Sequence, residues 1–219
     1  MSQRFLNLIR SGETAEVAAV AEEDPSLVTC RDAQGVSAFL WSIYSRQPLI
    51  RDFLLTRLAD LDIFEASAVG DCGRIERLLQ QDAELVQQTS GDGWTPLHLA
   101  AAFGGPQATA LLLVHGAQVN QLSSNPMHNQ PLHACIALSR DCETARILIA
   151  QGADVNRAQA GGYSPLHQAA AAGLEELTGI LLQAGADPGK VCDQGKTPAA
   201  YAQERNHDAV VKQLIVVRA

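Results

Sequence analysis

One short phrase, written four times, limits what this chain can fold into. Gly93-Trp94-Thr95-Pro96-Leu97-His98-Leu99-Ala100-Ala101-Ala102-Phe103-Gly104 returns as Gln130-Pro131-Leu132-His133-Ala134-Cys135-Ile136. It returns again as Ser164-Pro165-Leu166-His167-Gln168-Ala169-Ala170, and in worn form as Thr197-Pro198-Ala199-Ala200-Tyr201-Ala202. The starts lie 35, 34 and 33 residues apart. Self-similarity at such a period means an array of small units, none able to bury its apolar face alone, so neighbours must stack.

Each unit reads as helix, turn, helix, loop. Thr95 is a good N-cap, and Pro96 suits the first helical position, where a missing N–H costs nothing. The second helix is apolar at helical spacing, as in Thr109-Ala110-Leu111-Leu112-Leu113-Val114, and stops at Gly116, Gly152 or Gly185. Loops such as 153–162 carry turn residues and are expected to project as hairpin fingers. With Thr95 as phase marker, upstream equivalents fall at Gln3, Ser37 and Leu61, with Gly12 and Gly70 matching Gly104. Seven units therefore begin near 3, 37, 61, 95, 130, 164 and 197.

The Thr-Pro-Leu-His wording and the period resemble the ankyrin repeat. The resemblance is specific over roughly the last 130 residues and rests only on phase and packing upstream. It implies an all-α solenoid of stacked helix-turn-helix units with projecting β-hairpin loops, in one domain over residues 1–219. One departure stands out: Ser37 to Leu61 is only 24 residues, so unit two lacks its finger. Either the stack runs on continuously, which is preferred, or residues 1–59 form a divergent helical cap.

Several chemistries are disfavoured. Net charge is −8 and no Lys/Arg cluster appears, which argues against nucleic acid and against an anionic membrane surface. The five cysteines are scattered, with no Cys-x-x-Cys pair, and read as buried thiols in a reducing, cytoplasmic setting. Arg10 and Glu13 interrupt any signal-peptide core, and no apolar run is expected to cross a bilayer. There is no phosphate-cradling glycine loop, nucleophile elbow or zinc-protease helix, so no catalytic, cofactor or metal residue is assigned. His98, His133 and His167 are spaced by the repeat itself and so share one structural slot. The resemblance implies that this histidine bonds locally and ties one unit's loop to the next. His115, His128 and His207 read as surface residues. Asn120 and Asn156 match the ankyrin loop asparagine, which implies a side-chain bond holding the loop, or else modification by an asparaginyl hydroxylase.

The functional signal is where the aromatics fall. Positions four, seven and eight after the marker share one face of the first helix. The ankyrin pattern packs through the other face, so this one is expected to look into a concave groove. It collects Trp41, Tyr44 and Ser45, then Leu99, Ala102 and Phe103, then Ala134, Ala137 and Leu138. Units six and seven add Gln168, Ala171, Ala172, Tyr201, Glu204 and Arg205. The fingers add Trp94, Met127, His128 and Tyr163, and His128 stands where a turn glycine is expected. Both tryptophans and all three tyrosines thus fall on groove or finger positions, and such residues are favoured at binding hot spots. A plainer alternative stays open. Small residues let units approach, Trp94 packs along its own finger, and Trp41 with Tyr44 covers the core where the finger is missing.

The function expected is a non-catalytic scaffold that binds a protein partner through groove and fingers. A regulatory or inhibitory subunit, or a host-directed effector, would use the same surface, and an enzyme is the remote alternative. An apolar groove of this kind could pair with a copy of itself, but nothing in the sequence indicates that it does.

Overall fold

A computed structural model describes residues 1–216. The first helices of the units are α1 (Ser2–Ser11), α3 (Ala38–Tyr44), α5 (Ile63–Val69), α7 (Pro96–Leu99), α9 (Pro131–Ala134), α11 (Pro165–Ala171) and α13 (Pro198–Glu204). The second helices are α2 (Thr14–Glu23), α4 (Pro48–Leu55), α6 (Cys72–Gln81), α8 (Gly105–Val114), α10 (Cys142–Ala150), α12 (Glu175–Gln183) and α14 (Asp208–Val216). First helices pack in file from α1 to α13. Second helices do likewise except at one place, where α4 and α6 meet little if at all. The core runs the length of the row, from Phe5 and Ile9 through Leu112 and Leu148 to Leu214. The fold is the all-α solenoid that the repeats imply.

Five fingers close with the same bond, from the Asp32, Ser90, Ser123, Gln159 and Cys192 N–H groups to the carbonyls of Val36, Trp94, Asn129, Tyr163 and Lys196. They are tight turns rather than laddered hairpins, and an isolated bridge joins Arg31 to Ser37. The Ser123–Asn129 finger is the longest, and His128 does take the glycine slot at its tip, exposed and at φ 45. Successive fingers are tied by Ser124 N–H to Gly93 O (2.9 Å), Ala160 N–H to Met127 O (2.9 Å) and Asp193 N–H to Gly161 O (3.1 Å).

Unit two has no finger after α4, and the row closes across the gap. Gly91 lies flat against the Gln34–Gly35 backbone, so that a Cβ on Gly91 would collide with the Gln34 carbonyl. The finger before unit two and the finger after unit three are therefore neighbours.

Two phase assignments need correction. The cap of unit three is Asp62, not Leu61; its side chain accepts the Glu65 N–H at 2.8 Å while Glu65 reaches back to the Asp62 N–H at 3.0 Å. Gly70 matches Gly105 rather than Gly104, because the left-handed turn residue is Gly105 at φ 86. In units four and five that residue comes one position later after the cap than in units two, six and seven. The extra residue is absorbed by π-helical turns at Ala100–Gly104 and Cys135–Ser139. Those insertions help to explain why the first two intervals exceed 33. Gly104 is needed for a different reason. It faces the backbone of Ser67 and Gly70, and a Cβ there would meet the Ser67 carbonyl.

The expectation about bilayers also changes. Residues 96–114 are long and apolar enough to span one by length and composition, but the chain reverses at Gly105 and half of the stretch is buried in the stack.

Candidate functional site

The histidine slot is built the same way three times. In unit four the His98 Nδ1 accepts the Thr95 N–H at 3.3 Å and lies 2.8 Å from the Thr95 hydroxyl. That leaves the proton on Nε2, which donates to the Asn129 carbonyl of the next finger at 3.0 Å. His167 repeats this with Ser164 and the Lys196 carbonyl at 3.1 Å, and His133 reaches the Tyr163 carbonyl at 3.3 Å. All three rings are fully buried. Burial pushes His98 and His133 down to about 4 and lowers His167 as well, so each is a neutral imidazole near pH 7. Thr95 and Pro96, also buried, begin the helix that aims the first ring.

Asparagine staples run parallel to these ties. The Asn120 amide donates to the Gly152 carbonyl at 2.8 Å and accepts the Asp154 N–H at 2.8 Å. Asn156 does the same with Gly185 and Asp187. Both side chains hold the next unit's loop, the structural role the pattern implies. Among the described residues no group of His, Cys, Asp or Glu is placed to hold a metal ion.

The aromatic residues separate into two sets. Trp41, Tyr44, Trp94 and Phe103 form one belt, with Trp41–Tyr44 centroids at 5.8 Å, Tyr44–Phe103 at 5.6 Å and Trp94–Phe103 at 6.3 Å. Tyr44 reaches past unit three to Phe103 of unit four, in a cluster to which unit three gives Ala68 and Phe64. Arg10 lies 3.8 Å over the Trp41 ring, and the Trp41 Nε1–H donates to Asp32 at 2.8 Å. Beneath the belt lies Leu99, 0% exposed, packed with Val36, Leu40 and Ala68. Leu99 is therefore a core residue, a correction to its groove placement. In this unit position four lies between neighbouring first helices, so its side chain looks along the stack and not outward. Ala134 is buried in the same way.

Tyr201 is corrected likewise. It is 6% exposed, with its hydroxyl 2.5 Å from that of Tyr163 and 3.3 Å from Gln194 Oε1. Its ring packs edge-on against His167.

What remains open lies further along. Met127 (48% exposed), Tyr163 and Gln168 meet Ile136, Ala137, Ala171, Ala172 and Arg205 around a groove of about 350 Å³. Gln159 and Ala160 complete it from the finger. The Gln168 amide donates to Gln159 Oε1 at 3.2 Å, while its own Oε1 has no partner in the structure. Leu138 is half-buried beside this groove without lining it, and His128 stands on the fingertip. Gln159 and Ala160 went unforeseen because a finger glutamine reads as an ordinary turn residue. Ile136 was missed because its slot is a packing slot in the other units.

Comparisons with known proteins come to the same architecture. A family model described as ankyrin repeats, in three copies, matches residues 63–159 and 141–218. Ankyrin repeat and SOCS box protein 16 of Mus musculus is 37% identical over 165 residues, covering 72% of this chain and 35% of that protein. The Homo sapiens protein of that name is 34% identical over 166 residues with the same coverage. The B-cell lymphoma 3 protein homolog of Mus musculus is 32% identical over 114 residues, 52% of this chain and 25% of that one. The chain thus spans about a third of the length of the SOCS-box relatives.

Proposed function

Because this chain belongs to the ankyrin repeat family, whose repeats generally mediate protein–protein interactions, we propose that it is a non-catalytic scaffold holding a protein partner against units five to seven. The observation that carries this reading is the groove at Met127, Tyr163 and Gln168. It is the place on the concave side where apolar and amide groups converge and stay open. Elsewhere the residue types that favour binding are used for packing. The histidines hold loops as neutral rings, which accounts for their presence without chemistry.

The walls of the groove are Ala137, Ala171 and Ala172, so its width admits a partner's side chains between neighbouring units. Gln168 lines the groove, and Arg205 supplies a cation beside it. That combination suits a largely apolar segment with an acceptor to meet Arg205. Met127→Asp combined with Ala137→Asp is expected to cut capture of the native partner by ~tenfold or more. Both positions are exposed, so melting is expected to stay within about 1 kcal/mol of wild type. Quantitative crosslinked pull-down from source cells, beside thermal melts, reads both quantities. Unchanged capture by a folded double variant would show that the groove is not the docking surface.

A further inference from the structure

The row of units is interrupted once, and a cleft opens at the interruption. Between units two and three there is no finger, and α4 packs only weakly, if at all, against α6. The end of α5 is instead drawn toward unit four, where Gly70 and Gly104 meet backbone to backbone. What remains is a cleft of about 620 Å³ on the turn side of the stack, opposite the fingers. The α3–α4 turn and α4 form one wall; Ala68, Val69 and Phe103 form the other.

Its chemistry differs from the rest of the molecule. The inner surface is apolar, from Ile43, Leu55, Val69 and Phe103. Leu55, on the α4 wall, is 40% exposed. At the rim stand two guanidiniums, Arg46 and Arg51. Arg51 pairs with Asp52 at 2.7 Å, while Arg46 makes no ion pair among the described residues. Arg46 sits at φ 55, in the turn slot that Gly105, Arg140, Gly173 and Asn206 fill in units four to seven.

Charge decides the occupant. The chain as a whole carries −8 and would repel an acidic segment over most of its surface. Here two cations face one carboxylate beside an apolar pit. We propose that this cleft is a separate docking site for an acidic peptide segment of a partner. One bulky apolar side chain of that segment enters between Leu55, Val69 and Phe103, and a neighbouring carboxylate meets Arg46. The site shares no residue with the groove around Met127, so either proposal can fail without the other.

A displayed library of random twelve-residue peptides, panned on the wild-type chain, tests this, with Arg46→Gly as the discriminating variant. Glycine takes φ 55 without strain, so the substitution removes the guanidinium while easing the turn, and a melt verifies the fold. Selected peptides are expected to join Asp or Glu to Leu, Ile, Phe or Trp. They should bind wild type about tenfold more tightly than Arg46→Gly. They should protect amides in residues 42–55 from hydrogen exchange, and bind the Met127→Asp/Ala137→Asp variant unchanged. Enrichment of non-acidic peptides, equal binding by Arg46→Gly, protection at the Met127 groove instead, or no enrichment at all overturns the proposal. So does a concentration-dependent doubling of mass in sedimentation that Arg46→Gly abolishes, because the cleft would then belong to a second copy.

Discussion

Lowering the pH from 7.5 to 5 is expected to remove about 4 kcal/mol of stability from the stack, through His98 and His133 alone. Both are buried, and burial holds them down to about 4 in the folded chain, against about 6.5 when unfolded. Between those values the unfolded chain binds protons that the folded chain refuses. The full contribution is therefore present above pH 6.5 and is lost as the pH falls toward 4. His167, lowered for the same reason, acts in the same direction. Glu65 opposes them, because burial raises its carboxyl and protonation then favours the folded state near the bottom of the range. Urea unfolding at half-unit pH steps checks the slope, which is expected to correspond to roughly two protons taken up on unfolding near pH 5.5. A midpoint that does not move between pH 7.5 and 5 would mean the rings are not neutral ties.

Leu99→Ala is expected to destabilise the chain by about 3 kcal/mol, within the usual range for emptying a well-packed leucine site. Leu99 is fully buried under the aromatic belt and touches three different units through Leu40, Ala68 and its own neighbours. The rings above it cannot fall into the space without breaking the Tyr44–Phe103 and Trp94–Phe103 contacts. Partner capture by the folded fraction is expected to stay at the wild-type level. The opposite pattern, normal melting with lost capture, would return Leu99 to the groove.

Much of the fold was legible because its signals are local. A cap, a proline and a histidine three residues after the cap specify one turn of helix and one tie, whatever surrounds them. The short interval after Ser37 likewise exposed the missing finger. The irregular intervals of 35 and 34 also held information that was not used. They include the π-helical turns in units four and five, and the cue was Gly105 standing beside Gly104. Backbone contact between Gly104 and Gly70 hid that cue, because both glycines had reasons to be there.

The candidate site was less legible, for a physical reason. Residue type placed Trp41, Tyr44 and Trp94 on the concave side, but whether a ring is free depends on what the next unit leaves empty. Tyr44 reaches past unit three to Phe103, a contact that no local pattern encodes. Met127, Tyr163 and Gln168 stay on the open surface because Ala137, Ala171 and Ala172 are too small to cover them. The fault between units two and three, with Arg46 and Arg51 at its rim, follows from packing across the missing finger and has no sequence motif of its own.

One measurement bears most directly on the claim that binding belongs to the open groove and the conspicuous residues belong to the stack. A photoreactive benzoylphenylalanine is placed at Ala137, on the groove wall, or at Val114, 84% exposed at the end of α8. Both variants are irradiated in source cells. The account predicts a discrete partner adduct from position 137 and none from position 114. An adduct from position 114 alone, or none from position 137 in a folded chain, would contradict it.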